Sequence, residues 1–201
     1  MEIYSIIEQI NKWNIKYNRE KQYKVIGYIG DIGLPFNTVN LQIPRLGSIH
    51  GWKQIANETY VLAIKEPKNK METVAELLAG GCEFETVRAP WVLAPTLQIG
   101  EGSVVAAYSI KPGMIIGKYV TLVDSMLTSH SVGDYSTVLY FSNVTGNVGE
   151  RSYVGSHVYT HLGKVVGDNC YVADGSIVVK DIKPGNSVSG VPARRIKNTA
   201  Y

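Results

Sequence analysis

Five aliphatic-glycine pairs recur in phase along the second half of the chain: Ile99-Gly100, Ile116-Gly117, Val132-Gly133, Val148-Gly149 and Val166-Gly167. Six residues after each aliphatic member stands another, namely Val105, Leu122, Val138, Val154 and Val172. The positions after each glycine are polar, as in Glu101-Gly102-Ser103, Asp134-Tyr135-Ser136 and Asp168-Asn169-Cys170. A six-residue step within a period of 16 to 18 describes a coil with three flat sides. Each side is a short strand that sends one aliphatic side chain inward, and glycine takes the tight corner beside it. Stacked coils bury the aliphatic column as one continuous core, which no single coil achieves alone. A β-sandwich with glycine turns is the competing architecture, but it has no reason to keep five pairs and their partners in phase.

The rest of the composition narrows the class of protein. The 201 residues suit one large or two small domains, and twenty glycines fit a fold made mostly of corners. A net charge of +3 is too small to imply a nucleic acid or a membrane surface as partner. Cys82 and Cys170 lie far apart without metal-ligand spacing, so a reducing compartment is expected. No apolar run approaches the ~20 residues of a membrane span. Glu2 and Glu8 sit inside an amphipathic N-terminal pattern, unlike a secretory signal. A cytoplasmic location follows as the expectation.

Before the repeats, helix and strand signals alternate. Ile3, Ile6, Ile7, Ile10 and Trp13 (or Ile15) predict an amphipathic helix over residues 2–16. Tyr23 to Ile29 reads as a strand ended by Gly30-Asp31, followed by a polar loop with Pro35 and Pro44. Ser48 is expected to cap a short helix running through Ile55, and Thr59 to Ile64 reads as a fully buried strand. Asn69 is expected to cap a helix that runs to about Ala79 and stops at Gly80-Gly81, with a further strand from Phe84 to Val87. This alternation predicts a small parallel α/β domain over residues 1–87 and repeats over 88–201, with Ala89-Pro90 at the handover.

The order of parts resembles the hexapeptide-repeat bacterial sugar acyltransferases of the sialic acid O-acetyltransferase and nucleotide-amino-sugar N-acetyltransferase type. The carriers are Gly27-Tyr28-Ile29-Gly30-Asp31, Leu46-Gly47-Ser48-Ile49, the five repeat pairs and the ending Gly190-Val191-Pro192-Ala193-Arg194. The resemblance implies a Rossmann-like N-terminal subdomain followed by a left-handed parallel β-helix, a hand opposite to the usual crossover. It further implies acetyl-CoA bound between subunits of a homotrimer, with a sugar or sugar nucleotide as acceptor, in bacterial surface glycan synthesis. Asp31 then belongs to the substrate side. The chain departs from that family at its start: no glycine precedes Gly27, so the first strand and the glycine-rich phosphate turn are lacking. Ala63-Ile64 also runs into Lys65-Glu66-Pro67 where the family has a glycine. Either the start is shortened relative to its relatives, or a sugar nucleotide is held in another way.

Acetyl transfer from a thioester needs a base near the nucleophile and a donor for the developing oxyanion. Of the four histidines, His50 precedes the repeats and reads as a loop residue. The stretch Thr128-Ser129-His130-Ser131 is expected to stack beneath Val144-Thr145-Gly146-Asn147, one coil later. By resemblance His130 is the general base and the Gly146 N–H faces the thioester carbonyl. The family's acidic residue after the histidine is Ser131 here, with Asp124 or Asp134 as candidates to replace it, and a second family histidine falls near Thr137. Gly155 and Ala173 are expected along the pantetheine arm, and Lys180, Lys183, Arg194 and Arg195 near the CoA phosphates. Two other classes remain open. His130, His157 and His161 suggest a zinc site of the β-helix carbonic anhydrase kind. Ser131 and the missing glycine turn suggest a catalytically inactive trimeric scaffold. No metal is expected for the acyltransferase.

Overall fold

The computed structural model describes residues 2–17, 22–31 and 43–197. The helix α1 runs Glu2–Lys16, as its periodicity predicts. It buries Ile3, Ile6, Ile7 and Ile10 in the same apolar cluster as the coils, so the helix is the first lid of the coil core. Trp13, 6.2 Å from Trp91, extends this contact, while Ile15 points to solvent.

Between α1 and the coils the strand signals are mostly overridden. Among the described residues there, only β1, Tyr28–Ile29, forms a ladder, parallel to β2, Arg45–Gly47. The start of the expected Tyr23 strand is taken by a side chain instead. Asn11 Nδ2 donates to Tyr23 O at 2.6 Å, and Tyr23 N donates to Asn11 Oδ1 at 2.8 Å. The helix expected from Ser48 does not form. Gly51 is left-handed at φ 72°, and the Ser48 hydroxyl donates to Asp31 rather than capping a continuing helix. The segment read as a buried strand from Thr59 makes one parallel bridge, Tyr60 to Phe84, and buries only Leu62. Pro35 lies outside the described residues. The described residues therefore show two short parallel pairings in place of a continuous Rossmann-like sheet.

Helix α2, Pro67–Ala79, starts two residues before the expected cap. Glu66, not Asn69, is the N-cap: its carboxylate accepts from Lys68 N and Asn69 N, and Pro67 fits the first helical position. Gly80 ends the helix as predicted.

From Val87 the chain is a parallel β-solenoid with three sheets. The eight-stranded sheet takes β3 (Val87–Arg88), β5 (Val104–Ala106), β8 (Thr121–Val123), β11 (Thr137–Val138), β13 (Tyr153–Val154), β15 (Tyr171–Val172) and β17 (Ser187–Ser189), all parallel. β18 (Arg194–Ile196) folds back antiparallel on β17 through the Gly190-Val191-Pro192-Ala193 turn. The five-stranded sheet takes β6 (Ser109–Ile110), β9 (Met126–Leu127), β12 (Asn143–Val144), β14 (Tyr159–Thr160) and β16 (Ile177–Val178). The three-stranded sheet takes β4 (Gln98–Ile99), β7 (Ile115–Ile116) and β10 (Ser131–Val132), and single bridges continue it through Val148, Val166 and Ile182. β3 is thus already a rung of the coil, paired with Val104–Val105.

The inward rows are those read from the repeat. Ile116, Val132, Val148 and Val166 fill one, and Val105, Leu122, Val138, Val154 and Val172 another, all nearly or wholly buried. A third row is formed by Ile110, Leu127, Val144, Thr160 and Val178. Fully burying each aliphatic residue is worth about 1.5–3 kcal/mol, so the columns dominate the solenoid's stability. The glycine at the corner is required by stacking. A methyl group on Gly117 would overlap the Asp134 carboxylate, which accepts from Lys118 N at 2.8 Å.

Candidate functional site

The three sheets meet at three edges. The first joins the three-stranded to the eight-stranded sheet, the second joins the eight-stranded to the five-stranded sheet, and the third returns to the three-stranded sheet. Between Ile99 and Val172 the first edge keeps the same spacing in every coil. The third edge does not. The residues connecting its inward rows are 111–115, 128–131, 145–147, 161–165 and 179–181.

That irregularity makes a notch. The short connection 145–147 lies between the longer 128–131 and 161–165, so the coil recedes at Gly146 and projects on either side. Leu122, Val138, Leu127 and Val144 hold the strands behind the notch in fixed register. The register corrects the expected stacking by one residue. Leu127, not Thr128, stacks on Val144, and Thr128 N donates to Val144 O at 3.0 Å. Four residues therefore face three, and Asn147 absorbs the mismatch. Its Oδ1 accepts from His130 N at 3.0 Å and from Ser131 N at 3.2 Å. This clamp fixes the backbone of His130 while leaving its side chain exposed.

Gly146 forms the buried floor. Among the described residues nothing accepts a hydrogen bond from its N–H, whereas Thr145 N is bound by Thr160 Oγ1 at 2.8 Å. A buried N–H left unpaired is costly unless something arrives to take it. A side chain at this position would overlap the Lys164 carbonyl, which explains why only glycine fits.

The other expected site residues are spread over the molecule. Lys180 lies on the third edge, with His161 and Lys164 of the 161–165 connection. Gly155 and Ala173 lie on the second edge, across the five-stranded sheet from the notch. Asp174 Oδ1 accepts from Ser156 N at 2.6 Å, so the space beside Gly155 is filled by the next coil. Lys183 belongs to the first edge, and Arg194 and Arg195 to β18, where Arg194 Nη1 donates to Ala193 O at 3.2 Å. Asp31 is in the segment after β1 and receives the Ser48 hydroxyl.

Among the described residues, neither of the two acidic candidates stands on the third edge beside His130. Asp134 stands on the first edge and holds Lys118 N, and Asp124 stands on the second. Thr137 is covered by α2: its hydroxyl donates to Lys65 O at 2.6 Å and accepts from Lys70 Nζ at 2.8 Å. Lys70 is the titratable group that sequence patterning missed. It occupies a helix position like any surface lysine, and only the docking of α2 on β8 and β11 buries it.

The remaining histidines do not gather. His157, left-handed at φ 56°, stacks on Phe141 at 5.2 Å on the second edge. His161 sits edge-on to Tyr159 at 5.8 Å, and His50 contacts Glu76 at 2.9 Å. Among the described residues no group of three His, Cys, Asp or Glu side chains is placed to hold a metal ion. No helix among them is long and apolar enough to cross a membrane.

Solved structures of other proteins share this architecture. WeeI from Acinetobacter baumannii AYE superposes with a TM-score of 0.73 at 23% identity, covering 94% of this chain and 93% of that one. A mutant of perosamine N-acetyltransferase from Caulobacter crescentus, in complex with CoA and GDP-perosamine, superposes with a TM-score of 0.65 at 20% identity, covering 79% and 80%. The chain shares their fold. Galactoside O-acetyltransferase of Escherichia coli K12 is 44% identical over 50 residues, which is 25% of each chain. The match thus spans about a quarter of that curated relative's length. No family model matches the chain.

Proposed function

We propose that the chain transfers an acetyl group from acetyl-CoA to an amino or hydroxyl group of a sugar, free or nucleotide-linked, in bacterial surface glycan synthesis. The notch on the third edge carries this reading: an exposed histidine on a clamped backbone stands one coil from an unpaired, buried glycine N–H. The 50-residue match to a galactoside O-acetyltransferase and the fold shared with a CoA- and GDP-perosamine-bound N-acetyltransferase support it.

In this mechanism the His130 imidazole takes the proton from the acceptor as its oxygen or nitrogen attacks the thioester carbonyl. Gly146 N–H donates to the carbonyl oxygen as negative charge develops there; removing one such donor costs about 10²–10³-fold in other enzymes. The imidazolium then returns its proton to the departing CoA sulfur, so the base is restored and the acetyl group rests on the sugar. Lys180 lies two coils beyond Gly146 on the same edge, where a basic side chain suits the phosphates of CoA. Gly155, Ala173 and Arg194 do not adjoin the notch within one chain, and their proposed cofactor role therefore rests on the proposed subunit boundary. Asp31 is assigned to the acceptor.

The assembly proposed is a homotrimer. The outer surface of the five-stranded sheet exposes Met126 and Tyr159, each 43% accessible. Tyr108 and Phe141 border it on the second edge and Leu162 on the third, and Leu162 is 86% accessible. Such a cluster marks an interaction surface more often than a free one. Light scattering at micromolar concentration is expected to give about three times the 22.1 kDa chain mass. A monomer that still acetylates would remove the need for a shared site. Calorimetry with acetyl-CoA is expected to show saturable binding without added metal. Stoichiometric zinc on the purified protein, with no acetyl-CoA binding, would reverse the assignment.

A further inference from the structure

A half-open recess of about 420 Å³ lies between α1 and the entry to the first coil, and none of its lining residues belongs to the notch. Its walls include Ile10 and Asn14 of α1, Tyr23, Arg88, Val92 and Leu93. That volume falls within the ~300–1,000 Å³ of small-molecule sites.

Each wall is fixed independently. Ile10 is anchored in the main core, and the paired Asn11–Tyr23 hydrogen bonds hold Tyr23 against α1. Arg88 is clamped by the turn it precedes: Nε donates to Val92 O at 3.2 Å, and Nη2 donates to Val92 O at 2.7 Å and Ala94 O at 3.1 Å. These bonds use three of its five N–H groups. The two on Nη1 have no acceptor, and no carboxylate forms an ion pair with Arg88, among the described residues. Glu85 receives the Tyr23 hydroxyl at 3.3 Å. A guanidinium that only capped the turn would need no cavity in front of it. Here a turn-clamped, solvent-exposed guanidinium with a free edge lines the same recess as Val92 and Leu93, a combination that suits a carboxylate or phosphate with an apolar body.

We propose that this cavity binds a small organic anion, with its carboxylate or phosphate on the Nη1 edge of Arg88 and its apolar or ring-shaped body against Val92 and Leu93. The surroundings match such a ligand. Trp13 lies 4.6 Å from Tyr17 and 6.2 Å from Trp91, so rings flank the lining residues Asn14 and Pro90.

The nearby tryptophans supply the readout. Fluorescence and calorimetric titrations of the full chain would compare benzoate, phenyl phosphate, inorganic phosphate and neutral benzyl alcohol. Saturable binding is expected for benzoate or phenyl phosphate, and which of the two binds more tightly separates carboxylate from phosphate ligands. Benzyl alcohol should bind the wild type about tenfold or more weakly than benzoate, and benzoate should bind Arg88→Gln about tenfold or more weakly than the wild type, through loss of the charge-assisted contact. Leu93→Glu should abolish anion binding without changing the unfolding midpoint, because Leu93 is 82% accessible and no core contact is lost. This variant decides the matter even if Arg88→Gln fails to fold. Equal binding of benzyl alcohol and benzoate, no saturable binding of either anion, or wild-type affinity in Leu93→Glu would each overturn the site.

Discussion

His130→Ala is expected to lower acetyl turnover by about 10²–10⁴-fold, the usual worth of a positioned general base. The loss should fall on turnover rather than on acetyl-CoA affinity, because the ring is assigned to the acceptor's proton and not to the pantetheine. Stability should hardly change. The side chain is exposed, and the hydrogen bond that shapes the corner comes from the backbone N–H to Asn147, which alanine keeps. His157→Ala and His161→Ala should each cost far less in turnover, since their rings pack on Phe141 and Tyr159. Thiol release measured across a panel of amino-sugars and sugar nucleotides would first identify a working acceptor. Full activity of His130→Ala on that acceptor would show that the base is elsewhere. Inactivity of the wild-type chain on every acceptor, with trimer and fold intact, would favour a scaffold.

The solenoid was legible because its signal is periodic and redundant. Val138, Val154 and Val172 each point inward for the same stacking reason, so the pattern survives any one exception. Thr160 is such an exception: it takes an inward position, and Thr145 N satisfies its hydroxyl. The N-terminal segment was less legible because its elements depend on particular partners. Ser48 looks like a helix cap, but Gly51 and the bond to Asp31 decide otherwise. Asn69 looks like a cap too, yet the carboxylate of Glu66 accepts from Lys68 N and Asn69 N, so the cap lies three residues earlier. The notch was half legible. His130 and Gly146 could be paired from spacing and resemblance, whereas the one-residue mismatch between 128–131 and 145–147 emerges only from the register of Leu127 on Val144. Asn147, which absorbs that mismatch, carries no sequence signal beyond its place after Gly146.

Lys70 is expected to contribute stability that grows as pH rises from about 7 to about 10.5. Its side chain is wholly buried between α2 and the eight-stranded sheet. Nζ donates to Thr121 Oγ1 at 3.0 Å, Thr137 Oγ1 at 2.8 Å and Ser136 O at 3.3 Å. Burial pushes its pKa from 10.5 down to about 7, against a smaller upward pull from the Glu66 carboxylate. Between those two values the unfolded chain keeps a proton that the folded chain sheds, so the unfolded state binds more protons and stability climbs with pH. Below about 7 both states are protonated and the whole burial penalty is present. The interval from 10.5 to about 7, at ~1.36 kcal/mol per pH unit, corresponds to roughly 5 kcal/mol. Lys70→Met has nearly the same shape and nothing to titrate, so its stability should lack this part of the climb. It leaves the Thr121 hydroxyl without its partner, which costs about 1–3 kcal/mol. Ser136 O keeps Thr121 N, and the Thr137 hydroxyl keeps Lys65 O. The two terms set the sign at neutral pH: at pH 6–7 the methionine variant should be the more stable protein by a few kcal/mol, and near pH 10 the less stable. Denaturant unfolding of both proteins across that range measures the difference directly. Parallel stability curves for the two proteins would mean that Lys70 keeps its ordinary affinity for a proton inside the fold.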